Sequence, residues 1–161
     1  MEFKLNNLEM SIVKSFEDLD CFKICKDLRL EISELVKSFP ISEQFRLNDQ
    51  MIRCSRSITN NIAEGYGRFQ YKENIQFCRI SRGSLYELLD HIQIANENQF
   101  ITSQQKLELE KKIETSLKLL NGYINYLNSK FNSNNVSKPN FEYKNNDYIH
   151  YKTNNNLTIN Q

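Results

Sequence analysis

Tryptophan is absent from this 161-residue chain, and the chain-breaking residues are scarce, with four glycines and two prolines. So few breakers leave few positions where a long helix must stop, and an all-helical chain follows. An excess of one charge sign is also missing: the net charge is +1 and the isoelectric point about 7.6. The molecule as a whole is therefore no polycation, and attraction to nucleic acid has to come from local patches. No signal-peptide pattern or transmembrane run is visible, and there are only two histidines. The four cysteines, Cys21, Cys25, Cys54 and Cys78, fall inside predicted helices rather than in a loop-rich disulfide frame, which points to a reducing cytoplasm.

What the chain does have is enough bulk for one core. Its length corresponds to about one domain, 39% of its residues are hydrophobic, and ten Phe and eight Tyr supply large packing groups. Residues 1–15 show a weak apolar patch, Met10, Ile12 and Val13, without a sustained period, and read as an N-terminal arm. Ser15 with Asp18 forms an imperfect capping box for a first helix from Phe16 to Ser38. Its inward stripe is Leu19, Phe22, Cys25, Leu28, Ile32, Leu35 and Phe39, and Pro40 ends it. Asn48 or Asp49 is the expected cap of a second helix running through Tyr66, lined by Leu47, Met51, Cys54 or Ser55, Ile58, Ile62 and Tyr66. Gly65 and Gly67 are expected to give the following turn its freedom.

The third predicted helix spans Tyr71 to Asn98, with Ile75, Cys78, Leu85, Leu88, Ile92 and Ala95 inward and Phe77, Ile80 and Leu89 broadening the buried face. At Gly83-Ser84 the missing bulk is expected to let another backbone approach. Thr102 or Ser103 caps a fourth helix reaching Lys130 along Leu109, Ile113, Leu117, Leu120, Ile124, Leu127 and Phe131. Short connections make neighbours antiparallel, so the expected fold is an all-α, up-down four-helix bundle over residues 16–131. Residues 132–161 are Asn-rich and aperiodic and read as a disordered polar tail, though Phe141, Tyr143, Tyr148, Ile149 and Tyr151 make it more apolar than a linker needs.

Charge is uneven along the chain. Residues 1–45 carry 6 basic and 9 acidic side chains, whereas residues 46–82 carry 7 basic and 3 acidic ones. Arg53, Arg56, Asn60 and Glu64 recur at three- and four-residue spacing beside the apolar stripe of the second helix. In one reading these arginines pair with Glu64 or with Glu87 as a partly buried network that sets helix register, so that Glu64→Ala would destabilise the fold. In the other, Arg53 and Arg56 face outward and bind phosphate together with Arg68, Lys72, Arg79 and Arg82. Tyr66, Phe69 and Tyr71 interleave with Arg68 and Lys72; they either stack on unpaired bases or staple the corner between helices. Gly65-x-Gly67 lacks the preceding strand and following Lys-Ser/Thr of a phosphate loop. The cysteines read as small buried hydrophobes, His91 stands alone on its helix, and no metal-ligand or nucleophile pattern appears. No cofactor or metal is expected, and the chain is expected not to be an enzyme.

The run Arg53-Cys54-Ser55-Arg56-Ser57-Ile58-Thr59-Asn60-Asn61-Ile62-Ala63-Glu64-Gly65-Tyr66-Gly67-Arg68, followed by Gly83-Ser84-Leu85-Tyr86-Glu87-Leu88, resembles the 23S rRNA intervening-sequence proteins. That family typically reads R-x-x-x-S-I-x-x-N-I-A-E-G-x-G-R and then G-S-L-x-E-L. Phe39-Pro40 with Glu43, and Leu47 with Gln50, resemble further family positions, so the likeness covers about residues 16–130. It implies an antiparallel four-helix bundle that assembles as a homo-oligomer, in some members a ring-like homopentamer. More distantly, the chain is similar to the accessory variability proteins that serve reverse transcriptases in retroelements. Carried over, Asn61, Glu64, Gly65, Gly83, Ser84 and Glu87 are motif positions, with Arg53 and Arg68 its basic members. The chain departs from the pattern at Thr59-Asn60, where a proline is common, at Cys54 in place of a basic residue, and at Arg82 in place of an alanine. The expected partner is a structured RNA or an RNA-binding protein, with no membrane; the alternative is a protein-interaction scaffold that binds no nucleic acid.

Overall fold

A computed structural model describes residues 13–134; the expected tail from residue 135 onward and the arm before Val13 lie outside the described residues. Four helices follow one another: α1 (Asp20–Leu35), α2 (Leu47–Gly67), α3 (Tyr71–Glu97) and α4 (Ser103–Asn134). Among the described residues there is no strand. Contacts between successive helices run in opposite chain order. Arg29 of α1 and Val36 just beyond its end meet Thr59 and Asn48, Ser57 and Gly65 meet Ser84 and Asn74, and Asn74 and Arg82 meet Tyr123 and Asn121. Lys112 of α4 pairs with Glu31 of α1 and closes the ring. The architecture is thus an up-down antiparallel four-helix bundle, as the apolar periodicity requires.

The helix ends differ from expectation where a side chain has a second use. Ser15 and Asp18 do form the box: Ser15 Oγ accepts the Glu17 amide at 3.1 Å, and Asp18 Oδ2 accepts the amides of Ser15 (3.0 Å) and Lys14 (2.7 Å). Those amides favour the ionised carboxylate and lower its pKa. What they cap, however, is a 3₁₀ turn, Phe16–Asp18; Leu19 is extended, and α1 starts only at Asp20. The first helix also tightens to a 3₁₀ turn over Val36–Ser38 before Pro40. Asn48 does not cap α2, because its Nδ2 donates to the Val36 carbonyl (3.2 Å) and so ties the α1 end to the α2 start. At α4, Thr102 Oγ1 accepts the Gln105 amide (3.2 Å) while Gln105 Oε1 accepts the Thr102 amide (2.9 Å), and that helix continues four residues past the expected Lys130.

The core contains the expected stripes. Cys25, Leu28, Ile32, Met51, Ile58, Ile62, Cys78, Leu85, Leu88, Ile92, Ala95 and Leu120 have no solvent exposure. Val13 also docks onto this core, while Phe39 and Phe100 seal one end with ring centroids 5.4 Å apart. Two expectations fail here. Ile80 does not broaden the buried face of α3 but is 46% exposed. Tyr123, not anticipated, is fully buried, and its hydroxyl accepts a hydrogen bond from the buried Asn74 Nδ2 at 2.9 Å.

The two α2 glycines play a different part from the one expected. Both are helical; the turn residue in the left-handed region is Phe69, with φ 59°, at a cost of about 1–2 kcal/mol for a non-glycine residue. Gly65 instead lets α3 come close. A Cβ there would lie 2.9 Å from both Asn74 Oδ1 and Phe77 Cβ and 3.2 Å from the Asn74 carbonyl oxygen. The Asn74 amide is already engaged with Tyr123 and with the Cys78 thiol, so the neighbour has little room to yield. Gly65→Ala is accordingly predicted to lower folding stability by about 1–3 kcal/mol, read as a lower urea midpoint at unchanged slope.

Candidate functional site

The packing of α2 on α3, the most extensive of the helix pairings, decides which residues look outward. Small polar residues form its seam. Ser57 Oγ and Ser84 Oγ are 2.9 Å apart, Asn61 Nδ2 donates to the Ser57 carbonyl (2.8 Å) and to Ser57 Oγ (3.1 Å), and Ser81 Oγ donates to the Ile58 carbonyl (2.8 Å). Of the motif positions, then, Asn61, Gly65 and Ser84 belong to one helix contact. Ser57, the serine of the quoted family pattern, joins them, as do Ser81 and Asn74, which the sequence did not single out. The available signal was serine at positions 81 and 84, on the inward stripe of α3 where a hydrophobe is usual.

Gly83 does not share that role. It is exposed, and a Cβ built on it meets nothing within 4 Å, so the expected close approach is not made by any part of the described chain. An interior helical glycine costs about 0.5–1 kcal/mol relative to alanine, and no packing among the described residues offsets it. Gly83 lies on the solvent side of α3 with Arg79, Tyr86 and Glu87, all exposed, and with Ile80.

The cations are scattered rather than gathered. Arg53 and Arg56 stand one turn apart on the outer face of α2, and both are exposed. Arg53 Nε pairs with Asp49 at 3.0 Å, while Arg56 pairs with no carboxylate among the described residues. Arg68 pairs with Glu64 and lies over the Phe77 ring, 5.2 Å from its centroid; the Glu64 carboxylate raises its pKa further. Arg82 turns toward α4, where Nη1 donates to Asn121 Oδ1 (3.0 Å). Lys72 and Arg79 are exposed on α3. Arg53 and Arg56 thus lie on the outer face of α2, Arg68 just beyond its end, and Lys72, Arg79 and the half-buried Arg82 on α3.

These positions correct the expected buried network. The ion pairs are exposed and run along a single helix, Asp49 to Arg53 and Glu64 to Arg68, so they do not join α2 to α3. No arginine pairs with Glu87 among the described residues; its nearest basic group is His91, whose Nε2 lies 3.8 Å away, beyond hydrogen-bond range. At the corner, Tyr66 packs edge-on against Phe16 at 6.4 Å and Tyr71 rests against the core, the stapling arrangement, while Phe69 is 59% exposed.

All four cysteines are free and buried. Burial pushes the thiols of Cys25, Cys54 and Cys78 up to about 12, with the Glu87 carboxylate adding to the effect at Cys54; Cys21 rises well above its ordinary value for the same reason, with Cys25 and Cys78 adding to it. Such thiols hold their protons and are poor nucleophiles at neutral pH. Among the described residues no group of three His, Cys, Asp or Glu side chains is placed to hold a metal ion, and no helix is long and apolar enough to cross a membrane.

Two measurements check this description. Because Glu64 is half exposed and its partner lies on the same helix, Glu64→Ala should leave the melting temperature unchanged within error, reversing the sequence-based expectation. The thiols give a pH dependence of known sign. Folded thiols keep their protons to about 12 whereas unfolded ones release them near 9.0, so their contribution is complete below pH 9 and is lost as pH rises from there toward 12. The urea midpoint should decline across that window, and a thiol reagent at neutral pH should modify the cysteines only as the protein unfolds.

No curated protein matches the chain. The family model of the 23S rRNA-intervening sequence protein matches residues 17–122, which span the bundle from the first capped turn into α4 and include the whole α2–α3 seam, and the chain belongs to that family.

Proposed function

We propose that this chain is a non-enzymatic, homo-oligomeric binding module whose partner is a structured RNA or an RNA–protein complex. The observation that carries this is the outward placement of the α2 guanidiniums. Arg53 and Arg56 are one turn apart on a rigid helix, outside the bundle, with no role in holding it together. A guanidinium so placed is free to exchange a solvated carboxylate for a phosphate, which it binds in bidentate fashion. Asn60, exposed one turn beyond Arg56, adds a donor and an acceptor on the same face. The family's name, which ties it to ribosomal RNA, supports the same direction.

The non-enzymatic part rests on the chemistry of the side chains: the thiols are buried and hold their protons, Glu64 is paired with Arg68 in solvent, and His91 lies 3.8 Å from the exposed Glu87, beyond hydrogen-bond range. Four free thiols also suit a reducing compartment, and we place the protein in the cytoplasm. A second reading, a protein-interaction scaffold that binds no nucleic acid, is favoured by one observation. Carboxylates interleave with the cations, Asp49 beside Arg53 and Glu64 beside Arg68, and this lowers the local positive potential.

Salt dependence separates the two. For RNA binding, the logarithm of the association constant falls linearly with the logarithm of salt concentration, as counterions are released from the phosphates. The variant carrying Arg53→Ala and Arg56→Ala is expected to bind a structured RNA more weakly and with a salt slope smaller by about 1–2, at unchanged melting temperature. Absence of binding at low salt, or a slope the substitutions do not alter, refutes the RNA reading and leaves the scaffold.

A further inference from the structure

We infer that the groove between α1 and α2 is a site for the phosphate backbone of an RNA strand, with Arg29 on its floor, Lys26 on the α1 wall and Arg56 on the α2 wall. The site rests on the RNA-binding reading and places the contact at the seam of α2 with α1 rather than on the crest of α2. Neither Lys26 nor Arg29 stood out in the sequence, because nothing in the spacing of α1 alone sets them beside Arg56.

Arg29 is half-buried, and its Nη1 donates to Thr59 Oγ1 at 2.8 Å, while that hydroxyl donates to the Arg56 carbonyl at 3.1 Å. Among the described residues this is the one side-chain hydrogen bond of Arg29, and no carboxylate lies within ion-pair distance of it. A guanidinium has five donors and a full charge, so a single neutral acceptor leaves most of it unmatched. Partial enclosure between two helices also costs it hydration, which an incoming anion offsets.

The other two cations flank that contact. At about 100° per residue, Lys26 lies about 60° round α1 from Arg29, and Arg56 lies about 60° round α2 from Thr59. Both are exposed, on the solvent side of the seam. Because the helices are antiparallel, the two are displaced in opposite directions along the groove, each by about 4.5 Å of helical rise. Three positive charges therefore occupy about 9 Å of its length.

The carboxylates of both helices are placed elsewhere. Lys23 and Arg53 each have one about a turn away on their own helix, Asp20 at 3.6 Å and Asp49 at 3.0 Å, whereas Lys26, Arg29 and Arg56 pair with none among the described residues. All four acidic residues of α1, Asp20, Asp27, Glu31 and Glu34, lie about 140° to 200° round the helix from Arg29, away from α2. On α2, Asp49 shares the side of Arg56 but lies two turns, about 10 Å, before it and is held by Arg53, and Glu64 is held by Arg68. At the opposite end, Glu17 and Asp18 belong to the turn that sets Phe16 against Tyr66, two turns past Thr59. Acidic groups thus bound the groove at its ends and leave its middle positive. That middle has no exposed aromatic ring for bases to stack on, since Phe22 is buried and Tyr66 packs on Phe16, so it recognises phosphates, which every sequence shares.

The test is fluorescence anisotropy of the full chain, over a series of potassium chloride concentrations, with a stem–loop RNA and a second RNA of permuted sequence and the same secondary structure. Arg29→Gln, Lys26→Gln and Arg56→Gln should each weaken binding by about fivefold or more, by the same factor for both RNAs, and each should lower the salt slope by about 1. Arg53, about 120° round α2 from Thr59 and already paired with Asp49, lies outside the groove, and Arg53→Gln should change affinity by less than about twofold. Circular dichroism confirms that each variant is folded. Lys26→Gln removes no hydrogen bond or ion pair among the described residues, so it carries the test even where loss of the Arg29 contact with Thr59 unfolds the chain. An unsubstituted chain that binds neither RNA at low salt overturns the groove and the RNA reading together. Binding that Arg53→Gln weakens while Lys26→Gln and Arg29→Gln leave affinity and slope unchanged overturns the groove alone and returns the contact to the crest of α2. A loss confined to one of the two RNAs overturns recognition through the backbone.

Discussion

The close approach of α2 and α3 is the constraint on which the rest of this molecule depends. It is made possible by one missing side chain, at Gly65, and held by hydroxyls and amides, from Ser57, Ser84, Asn61 and Ser81, that reach only as far as a tight contact allows. Because the groups are neutral and partly enclosed, each hydrogen bond contributes a net of about 0.5–1.5 kcal/mol while fixing the register of one helix on the other. Asn74 extends this contact to α4 through the Tyr123 hydroxyl, so a single buried amide holds three helices in relation. Any change of register there would leave that amide and hydroxyl without partners in a dry core.

A consequence follows for the charges. Since neutral groups set the register, the arginines of α2 are not needed between helices and turn outward. Their carboxylate partners are one turn away along the same helix and in solvent, an arrangement worth little to stability because water screens it and long side chains must be held in place. Weak pairing suits the binding surface proposed above. The guanidinium can exchange Asp49 for a phosphate or another carboxylate at small cost, whereas a buried arginine would be committed to its partner.

The outer face of α3 follows from the same packing. Once Ser84 and Leu85 are turned inward, Gly83 and Tyr86 must turn outward, a third of a helical turn away. A glycine, an isoleucine and a tyrosine then lie together in water, flanked by the exposed Arg79 and Glu87.

The four helices, their order and the core stripes were legible from the sequence, because an amphipathic helix writes its buried face into the spacing of its apolar residues. A boundary was legible at Thr102, whose side chain caps α4, but not at Asn48, whose amide serves the neighbouring helix; at Ser15 the box itself was legible, though it caps a 3₁₀ turn ahead of α1. The family pattern pointed to the correct stretch but not to what its members do. Asn61 and Ser84 are seam residues, Glu64 and Glu87 are exposed, and the two glycines divide, Gly65 pressed against Asn74 and Gly83 open to water. Periodicity places a residue on a face of its own helix and so determined what is buried. Which neighbour lies across from that face, and how near, depends on how the helices pack together, and that alone decided which glycine is needed for closeness and which arginine is free to bind.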